Sequence, residues 1–568
     1  MGITTRIKIL CGFFLLVFLV LSVRLFFWQI VKGRVLSAQA RGQYSVGNTL
    51  SAPRGSIYAG DYTWLAAREG GWLVYVNLSE IREERGKIAA KLAPFFVEDE
   101  SKLVEEENRL KELMTKDGAI WIPLKHKVRE ESKKNIDALG ISGIGFEEEE
   151  IRTYPEASIA AQLLGFVGKN SEGEDTGYFG LEGYYDLVLS GKPGYFSAEA
   201  DARGTPILLG QNREVSAIGG VDLVTHIDKG LQILAEKKLR EGIEKYGAKG
   251  GSIVISEPKT GAIVASASFP SYDPLKYYEF GDDYFKDPVV SDAFEPGSVF
   301  KVLVMAAGLD AGVITPNTKC EICGGPLKVD KYTIETWNRE YYPNSSMTEV
   351  IVHSDNVGMA FVGQQLGSER LYEYLHKFGI GEATGIDLQG EAVPALREKD
   401  KWSIVDVVTA SFGQGVAVTP IQMVYAVGTI ANSGISVKPQ VVDRFKGLSW
   451  DEDIKPEAGE RVISEEAAKN ITAMMVEAAK SGEAKWTYLR GFKVAGKTGT
   501  AQIPISGHYD AEKTIASFIG FAPADDPKFL MLVTLKEPNS SPWASETAAP
   551  LWYSIAKDLF LFFGIQPE

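Results

Sequence analysis

Cysteine is scarce in this chain, with only three among its 568 residues. Cys11 lies in an apolar stretch near the N-terminus, while Cys320 and Cys323 form an isolated Cys-x-x-Cys pair. So few cysteines argue against a fold held together by disulfides. A structural zinc site takes about four ligands, and no second cysteine or histidine pair stands near Cys320 in the sequence. The Cys320–Cys323 pair is therefore either a local disulfide or two free thiols, and the sequence leaves both open.

Positive charge is also in short supply. The chain has 60 basic and 75 acidic residues, which gives a formal net charge of −15. Nucleic-acid binding needs a basic face, so this balance argues against a nucleic acid as the main partner. The acidic run at residues 147–150 is expected on a solvated surface. The shares of hydrophobic (45%) and charged (24%) residues are those of a globular protein, and the length predicts two or more domains.

Long apolar runs are missing except at the N-terminus. Residues 7–30 are long enough to cross a bilayer, which takes about 20 residues. Arg6 and Lys8 lie at its start, which predicts a cytoplasmic N-terminus, one membrane span and a large body on the far side. The alternative is a signal peptide cleaved at residues 38–40. Because the stretch is longer than the apolar core of a usual signal peptide, we expect an uncleaved anchor.

The segment after the anchor shows no cluster of chemically reactive side chains. A strand-like opening at residues 71–76 leads into a charged stretch, residues 78–139, that is predicted to be helical and amphipathic. Glycine-rich segments follow, between residues 165 and 210. We expect a spacer or interaction domain here. The predicted order is a cytoplasmic tail, an anchor and this spacer, at residues 1–6, 7–30 and 31–215.

Residues 216–568 have the pattern of a compact α/β domain. Runs rich in β-branched residues at 252–256 and 262–268 are joined by a Pro-Lys-Thr-Gly turn, which predicts a hairpin. Residues 529–535 are predicted to form a strand, and residues 549–563 a closing helix. Strands with helices at both ends predict an antiparallel sheet covered by helices.

Ser298 and Lys301 lie three residues apart in an apolar run that is predicted to be a helix from about Pro296 to Gly312. Residues i and i+3 share one helix face, so the Lys301 amine can reach the Ser298 oxygen. A serine hydroxyl is a weak nucleophile until a base removes its proton. A lysine can be that base if burial or nearby positive charge lowers its pKa. The pair alone is a weak signal, because this spacing is common by chance.

Two short motifs follow Ser298 in order, a Ser-Asp-Asn at residues 354–356 and a Lys-Thr-Gly-Thr at residues 497–500. Together, and downstream of a membrane anchor, the three motifs resemble those of class B penicillin-binding proteins. The resemblance extends through Arg-Gly-Ser-Ile 54–57, Arg-x-Tyr-Pro 152–155, Gly-Leu-Glu 180–182, Ile-Asp-x-x-Leu-Gln 227–232, Tyr-Asp-Pro 272–274, Glu-Pro-Gly-Ser 295–298, Gly-Gln-Gly 413–415, Thr-Pro 419–420, Thr-Ala-Gln 500–502 and Ser-Phe-x-Gly-Phe 517–521. One departure stands after residue 57, where the family usually has an Asp-Arg pair and this chain has Tyr58 followed by Ala-Gly-Asp-Tyr.

This resemblance implies an α/β (α+β) serine penicillin-recognising transpeptidase domain at residues 216–568, preceded by an elongated pedestal of dimerisation type and one membrane anchor. It implies a peptidoglycan D,D-transpeptidase that forms an acyl-enzyme on Ser298 with D-alanyl-D-alanine stem peptides and is acylated there by β-lactams. No metal and no cofactor is expected. The expected partners, besides the membrane, are a membrane-embedded glycosyltransferase and other proteins of the division complex.

Three side chains are predicted to be catalytic, and the chemistry of each agrees with its position. Ser298 is the nucleophile, placed near a helix N-terminus whose dipole favours a developing alkoxide. Lys301 is its base, and Ser354 carries a proton between Lys301 and the leaving amine. The backbone N–H groups of Ser298 and Thr500 are expected to form the oxyanion hole.

The remaining motif residues are predicted to bind the substrate. Asn356 offers both a donor and an acceptor to a peptide. Lys497 supplies positive charge for a substrate carboxylate, and Thr498 and Thr500 supply further hydroxyl donors. Gly499, between the two threonines, belongs to the same expected binding segment.

Two other enzyme classes are disfavoured by the sequence. Residues 491–498 match the phosphate-binding loop of nucleotide hydrolases, but that loop must be followed by a helix, and residues 499–504 look like a strand. A Ser-His-Asp hydrolase is disfavoured because no Gly-x-Ser-x-Gly elbow is present and the chain has only five histidines. His353, next to Ser354, is expected to be structural.

Three alternatives within the same broad family remain. A β-lactamase uses similar motifs and needs a carboxylate to deacylate, for which Glu391 stands at a suitable distance after Asn356, yet the anchor and long spacer argue against it. A non-catalytic β-lactam sensor could use the same pocket. Among the transpeptidases, residues 23–30 and the modest spacer favour a division enzyme over an elongation enzyme.

Overall fold

The chain folds into two compact units. The structure is a computed structural model that describes residues 2–32, 45–97, 99–115, 120–199, 212–505 and 508–568. The first unit joins residues 1–54 to 190–220, and the second joins residues 55–189 to 221–568. The predicted boundaries at residues 30 and 215 remain predictions.

The first unit contains the apolar N-terminal helix and a small sheet. The helix Ile3–Phe26 continues as a π-helix over Phe27–Val31. These 29 residues reach a hydropathy of 2.7, long and apolar enough to cross a membrane. The sheet is antiparallel, with its strands in the order Ser45–Leu50, Gly194–Glu199 and Asn212–Val215.

A seven-stranded mixed sheet belongs to the second unit. Its strands run in the order Asp451–Asp453, Val442–Lys446, Asp222–Thr225, Ile57–Tyr58, Trp64–Asn77 and Trp121–Val128, and Ile144–Thr153 also pairs with Trp64–Asn77. Among the described strands of this sheet, Ile57–Tyr58 pairs in parallel with Asp222–Thr225, and the other pairings are antiparallel. The acidic residues 147–150 lie in the strand Ile144–Thr153 and are mostly exposed, as predicted.

The prediction of a helical stretch across residues 78–139 is wrong in its middle, because Trp121–Val128 is a strand. Ile122 and Leu124 are both buried and lie two residues apart, which is the period of a strand rather than of a helix. The charged residues that follow these two positions conceal this short pattern in the sequence. Pairing with the strand Trp64–Asn77 stabilises Trp121–Val128 as a strand. The flanking helices are Arg85–Leu92, Leu103–Met114 and Glu130–Asp137.

A five-stranded antiparallel sheet forms the centre of the second unit. Its strands run in the order Ile263–Phe269, Gly250–Ser256, Phe529–Lys536, His508–Ala522 and Ala495–Ile505. Leu530 and Leu532 enter one hydrophobic core, whereas Met531 and Val533 enter another, because successive side chains of a strand point to opposite faces. Both faces are therefore covered, which confirms the predicted antiparallel sheet with helices on it.

Helices cover the two faces of this sheet separately. Lys229–Tyr246 and Ala548–Phe562 contribute to one core, and Lys301–Asp310, Pro420–Ala431 and Glu465–Ser481 to the other. Ser464 caps the last of these helices through a hydrogen bond from the Ala467 N–H. The other α-helices of this unit are Ala161–Leu164, Gly180–Tyr184, Asp186–Leu189, Pro288–Ser291, Met347–Val352, Asn356–Lys377 and Ile404–Ala410. Short strand pairs are Phe166–Lys169 with Asp175–Tyr178, Leu327–Val329 with Tyr332–Ile334, and Ile435–Val437 with Ala458–Arg461.

Candidate active site

Ser298 lies in a single tight turn, the 3₁₀-helix Gly297–Phe300, which runs directly into the helix Lys301–Asp310. Ser298 is partly exposed, while its neighbours in the turn are buried. The turn rests on Gly413, whose carbonyl accepts the Gly297 N–H at 3.0 Å. A Cβ at Gly413 would lie 2.2 Å from the Gly297 carbonyl oxygen, so only glycine permits this approach. The Gly-Gln-Gly motif therefore packs directly against the Ser298 turn and holds it by a backbone hydrogen bond.

The Lys301 side chain is fully buried one helical turn after Ser298. Its Nζ donates to the Ser354 carbonyl oxygen at 2.6 Å and to Asn356 Oδ1 at 2.7 Å. A third, longer hydrogen bond of 3.3 Å goes to Ser354 Oγ. Lys301 thus joins the first motif to the second, and its three recorded acceptors all belong to the Ser-Asp-Asn segment.

Burial, and to a smaller extent the neighbouring Lys497 ammonium, lowers the pKa of Lys301 to about 7. The carboxylates of Glu483 and Asp355 act in the opposite direction but do not restore the ordinary value. A lysine with a pKa near 7 is partly neutral at physiological pH and can accept a proton.

Ser354 lies at the sharp junction between the helices Met347–Val352 and Asn356–Lys377. Its φ is +54°, a left-handed conformation that costs a non-glycine residue free energy and is found mainly at sites where the surroundings enforce it. Asp355 helps to fix the junction, because its carboxylate caps the second helix by accepting two backbone N–H groups of the first turn. The Ser354 hydroxyl is thereby held between two amines.

Lys497 is the second of these amines. It lies in the strand Ala495–Ile505, hereafter the edge strand, at the end of the five-stranded sheet, and its side chain is buried. Its Nζ donates to Ser354 Oγ at 2.9 Å and to the carbonyl and hydroxyl oxygens of Thr498, both at 3.2 Å. Burial lowers the pKa of Lys497, and the Glu483 carboxylate opposes this. Ser354 therefore accepts hydrogen bonds from both motif lysines.

The edge strand packs closely against the Ser298 turn at Gly499. A Cβ there would lie 2.7 Å from Ser517 Oγ and 2.8 Å from Val299 Cγ1, so a larger residue would push the strand and the turn apart. The next residue, Thr500, is fixed by its hydroxyl oxygen, which accepts the Ala544 N–H at 3.0 Å. The structure thus brings the predicted oxyanion residues, Ser298 and Thr500, onto two adjoining segments.

Sequence reasoning missed a pair of exposed tryptophans, each of which stands close in the sequence to a residue that contacts the site. Asn356 Nδ2 donates to the Glu335 carbonyl oxygen at 3.0 Å. Trp337 stands close in the sequence to Glu335, and Trp543 stands next to Ala544, whose N–H binds the Thr500 hydroxyl. The two tryptophan rings pack 5.2 Å apart and remain nearly half exposed. No spacing pattern could have identified these residues, because about two hundred positions separate them and none belongs to a motif.

The disfavoured alternatives fail for structural reasons. The segment that resembles a phosphate loop enters the edge strand instead of a helix, which excludes a nucleotide site of that type. His353 stacks on Tyr342 with ring centroids 3.9 Å apart. The carboxylate of Glu391 accepts hydrogen bonds from Thr384 and Gly385 within its own loop. Separately, Cys320 and Cys323 form a disulfide, which settles the alternative that the sequence leaves open.

Two family models match the chain. Residues 251–560 match the penicillin binding protein transpeptidase domain, and residues 49–225 match the penicillin-binding protein dimerisation domain. The first of these covers more than half of the chain and contains all three motifs of the site.

Curated relatives are similar over most of the chain. Stage V sporulation protein D of Bacillus subtilis is 31% identical over 570 residues, which cover 99% of this chain and 86% of the relative. Penicillin-binding protein PbpB of Mycolicibacterium smegmatis is 28% identical over 95% of this chain and 88% of its own length. Peptidoglycan D,D-transpeptidase FtsI of Escherichia coli is 29% identical over 79% of this chain and 73% of its own length. With the apolar N-terminal helix, these matches indicate a single-pass membrane protein.

Solved structures share the fold. Penicillin binding protein 2X of Streptococcus thermophilus aligns with a TM-score of 0.74 at 24% identity, covering 92% of this chain and 80% of that protein. A peptidoglycan synthetase of Bifidobacterium adolescentis aligns with a TM-score of 0.73 at 25% identity, covering 92% of this chain and 98% of that protein. From the family models, the relatives and the fold together, the chain belongs to the class B penicillin-binding proteins, the serine-type peptidoglycan D,D-transpeptidases.

Proposed function

We propose that this transpeptidase acts through an acyl-enzyme on Ser298, formed with the D-alanyl-D-alanine end of a stem peptide and, equally, with β-lactams. The observation that carries the proposal is the Ser354 hydroxyl, which lies within hydrogen-bonding distance of both the Lys301 and the Lys497 amine. This arrangement connects a base, a relay and a positive charge, and the base lies one helical turn after the partly exposed Ser298.

Lys301 is the proposed base. With a pKa near 7, about half of the Lys301 amines lack a proton at neutral pH. The neutral amine keeps two N–H donors, enough for its short bonds to the Ser354 carbonyl and to Asn356 Oδ1. Its lone pair is then available for the Ser298 proton, and Ser298 Oγ attacks the substrate carbonyl.

Ser354 is the proposed relay to the leaving group. Once Lys301 has taken the Ser298 proton, its third N–H can reach the Ser354 oxygen, which then accepts from both amines. The Ser354 hydrogen is therefore available for the nitrogen of the departing D-alanine or of an opening β-lactam ring. The proton that Lys301 took from Ser298 replaces the one that Ser354 gives up. An amine from a neighbouring stem peptide then takes the acyl group, and the same relay runs in reverse.

The edge strand is the proposed binding surface for the peptide. It ends the order of its sheet, and a strand in this position can pair with an extended peptide through its main chain. The N–H groups of Ser298 and Thr500 would hold the developing oxyanion, each contributing about 2.7–4 kcal/mol. Gly499 supports this role, since it lets the strand approach the turn closely.

Lys497, Thr498 and Asn356 are the proposed ligands of the substrate's polar groups. The Lys497 ammonium supplies positive charge for the terminal carboxylate, although its recorded hydrogen bonds all go to protein oxygens. Asn356 uses one N–H for the Glu335 carbonyl and has a second for a substrate carbonyl.

Labelling with a fluorescent penicillin tests the acyl-enzyme directly. The full-length chain in detergent should acquire a stable, covalent label, and Ser298→Ala should acquire none while melting at the same temperature. Label on the Ser298→Ala variant would place the nucleophile elsewhere, and an unlabelled native chain would refute acylation altogether. Rapid loss of the label would favour a β-lactamase, against which the engagement of Glu391 in its own loop also argues.

We further propose a cytoplasmic N-terminus, an external catalytic domain at residues 216–568 and a role in septal wall synthesis beside a membrane-embedded glycosyltransferase. Arg6 and Lys8 at the start of the apolar helix support the orientation. A fluorescent fusion should collect at the division septum, and depletion should produce filaments. Label along the side wall and rounded cells would indicate the elongation type instead. A defect confined to spore formation would favour the process after which the Bacillus subtilis relative is named.

A further inference from the structure

Glu483 contacts a residue of the third motif, Thr498, although it belongs to none of the three motifs itself. It follows the helix Glu465–Ser481, and its Oε2 accepts the Thr498 hydroxyl at 2.8 Å. The same hydroxyl oxygen accepts from Lys497 Nζ at 3.2 Å. A hydroxyl has one hydrogen, so the bond to Glu483 leaves only lone pairs of the Thr498 oxygen for Lys497. These two bonds end to end place the carboxylate no more than about 6 Å from the Lys497 ammonium.

The Lys301 and Lys497 amines are buried close together but need different charges. Both are buried, and both reach Ser354 Oγ, at 3.3 Å from Lys301 and 2.9 Å from Lys497. Proton transfer needs a neutral Lys301, whereas carboxylate binding needs a charged Lys497. Something must therefore favour the charged form of one amine over that of the other.

Few charged groups of the described chain act on these amines. Glu483 opposes the lowering of both lysine pKa values, and Asp355, at the start of the neighbouring helix, opposes the lowering of the Lys301 pKa. Lys301 carries the additional repulsion of Lys497. A cavity of about 10 Å³, lined by Glu483, Lys497 and Thr498 among others, has room for about one water molecule. The attraction between Glu483 and Lys497 is therefore screened less than that of a pair on an open surface.

We propose that Glu483 is a positioning residue of the acylation reaction, which orients the Thr498 hydroxyl as an acceptor and keeps Lys497 protonated while Lys301 gives up its proton. The inference rests on the proposed function in one respect, that Ser298 is the acylated group. Glu483 touches no reacting atom and acts through Thr498 and Lys497.

Glu483→Gln separates the charge from the hydrogen bond. The glutamine amide oxygen can still accept the Thr498 hydroxyl, but the negative charge is lost. Without that charge the Lys497 ammonium is less stable, so its pKa falls and the amine deprotonates at a lower pH. At a separation of about 6 Å and the screening of a partly exposed carboxylate, we expect a shift of about one pH unit.

The test is the pH profile of acylation by a fluorescent penicillin, measured as a second-order rate constant from about pH 5 to 10 on the full-length chain in detergent. The native profile should rise as Lys301 loses its proton and fall as Lys497 does. In Glu483→Gln the falling limb should move about one unit toward acid. The rising limb should also move toward acid, because the same carboxylate raises the pKa of Lys301, and Glu483→Asp should largely restore both limbs. Glu477→Gln, a matched change on the helix Glu465–Ser481, should leave both limbs in place.

Three results would overturn the proposal. They are a Glu483→Gln profile that coincides with the native one, an equal loss of rate at every pH, and a variant that no longer melts cooperatively. The second would indicate a hydrogen-bonding role without the charge, and the third a role in folding. A native chain that takes no label would refute the acyl-enzyme itself, a different outcome from any of these.

Discussion

The two large sheets of the second unit differ in whether charged side chains near them are buried or exposed. In the five-stranded sheet, the strand Phe529–Lys536 is buried along almost its whole length, and the buried amine of Lys497, in the edge strand, meets that of Lys301 at Ser354 Oγ. In the seven-stranded sheet, the strand Ile144–Thr153 exposes its acidic residues to solvent. Burial is what shifts the pKa of Lys301, so only the first environment can turn a lysine into a base. The comparison teaches that the chemistry depends on a tightly packed edge at which the lysine amines are buried.

Of the changes that test this comparison, loss of the proposed base, Lys301, should reduce the acylation rate most. Lys301→Met should slow acylation by about 10²–10⁴-fold, the usual contribution of a general base. Stopped-flow measurement with a chromogenic β-lactam gives the rate, and circular dichroism checks the fold. A rate within about threefold of the native value would remove Lys301 from the proposed mechanism.

Loss of the close packing between the edge strand and the Ser298 turn should have the second-largest effect on the acylation rate. Gly499→Val should slow acylation by about 10²-fold, because the new side chain forces the strand away from the Ser298 turn. Gly70→Val is the matched control in the seven-stranded sheet, since a Cβ at Gly70 has no atom within 4 Å. Equal rates for the two variants would show that the close approach at Gly499 does not matter for the reaction.

A change of pH should have a smaller effect on the acylation rate than either of these substitutions. With a Lys301 pKa near 7 and the neutral amine as the active form, the acylation rate should fall about tenfold from pH 8 to pH 6. Asp287, whose pKa burial raises to about 6, also titrates near this range, so the melting temperature must be followed at each pH. A flat rate profile with a constant melting temperature would contradict the assignment of Lys301 as the base.

The smallest effect on acylation is expected from the buried ion pair beside the seven-stranded sheet. Arg152 donates to Glu182 and to the Gly55 carbonyl, both at 2.6 Å. Arg152→Met should lower the free energy of unfolding by about 3–5 kcal/mol, because it removes the positive charge that faces the buried Glu182 carboxylate, yet the acylation rate should stay within about twofold. Lys91→Met, which breaks an exposed pair with Glu83, should cost less than about 1 kcal/mol. A large loss of rate in folded Arg152→Met would link this region to the chemistry.

The sequence predicted the parts of the molecule that local patterns encode. The helix that begins near Ser298 and the hairpin from Gly250–Ser256 to Ile263–Phe269 follow from spacing and turn residues, and the structure confirms them. The strand Trp121–Val128 was mistaken for helix, since only two of its apolar residues reveal the period.

The geometry of the site could be predicted only in part. The motifs identified Lys301, Ser354 and Lys497, but not that one hydroxyl joins both amines. Glu483 gave no signal, because it lies outside every motif and reaches the site through the Thr498 hydroxyl. Contacts of this kind depend on how distant segments pack, which residue spacing does not record.

Mass mapping of the acylated peptide tests the central claim most directly. The full-length chain is treated with a β-lactam at about pH 8, where Lys301 is mostly neutral, then digested and sequenced by tandem mass spectrometry. The account predicts the mass of the opened β-lactam on the hydroxyl of Ser298 and on no other residue. An adduct on another side chain, or none at all, would contradict it.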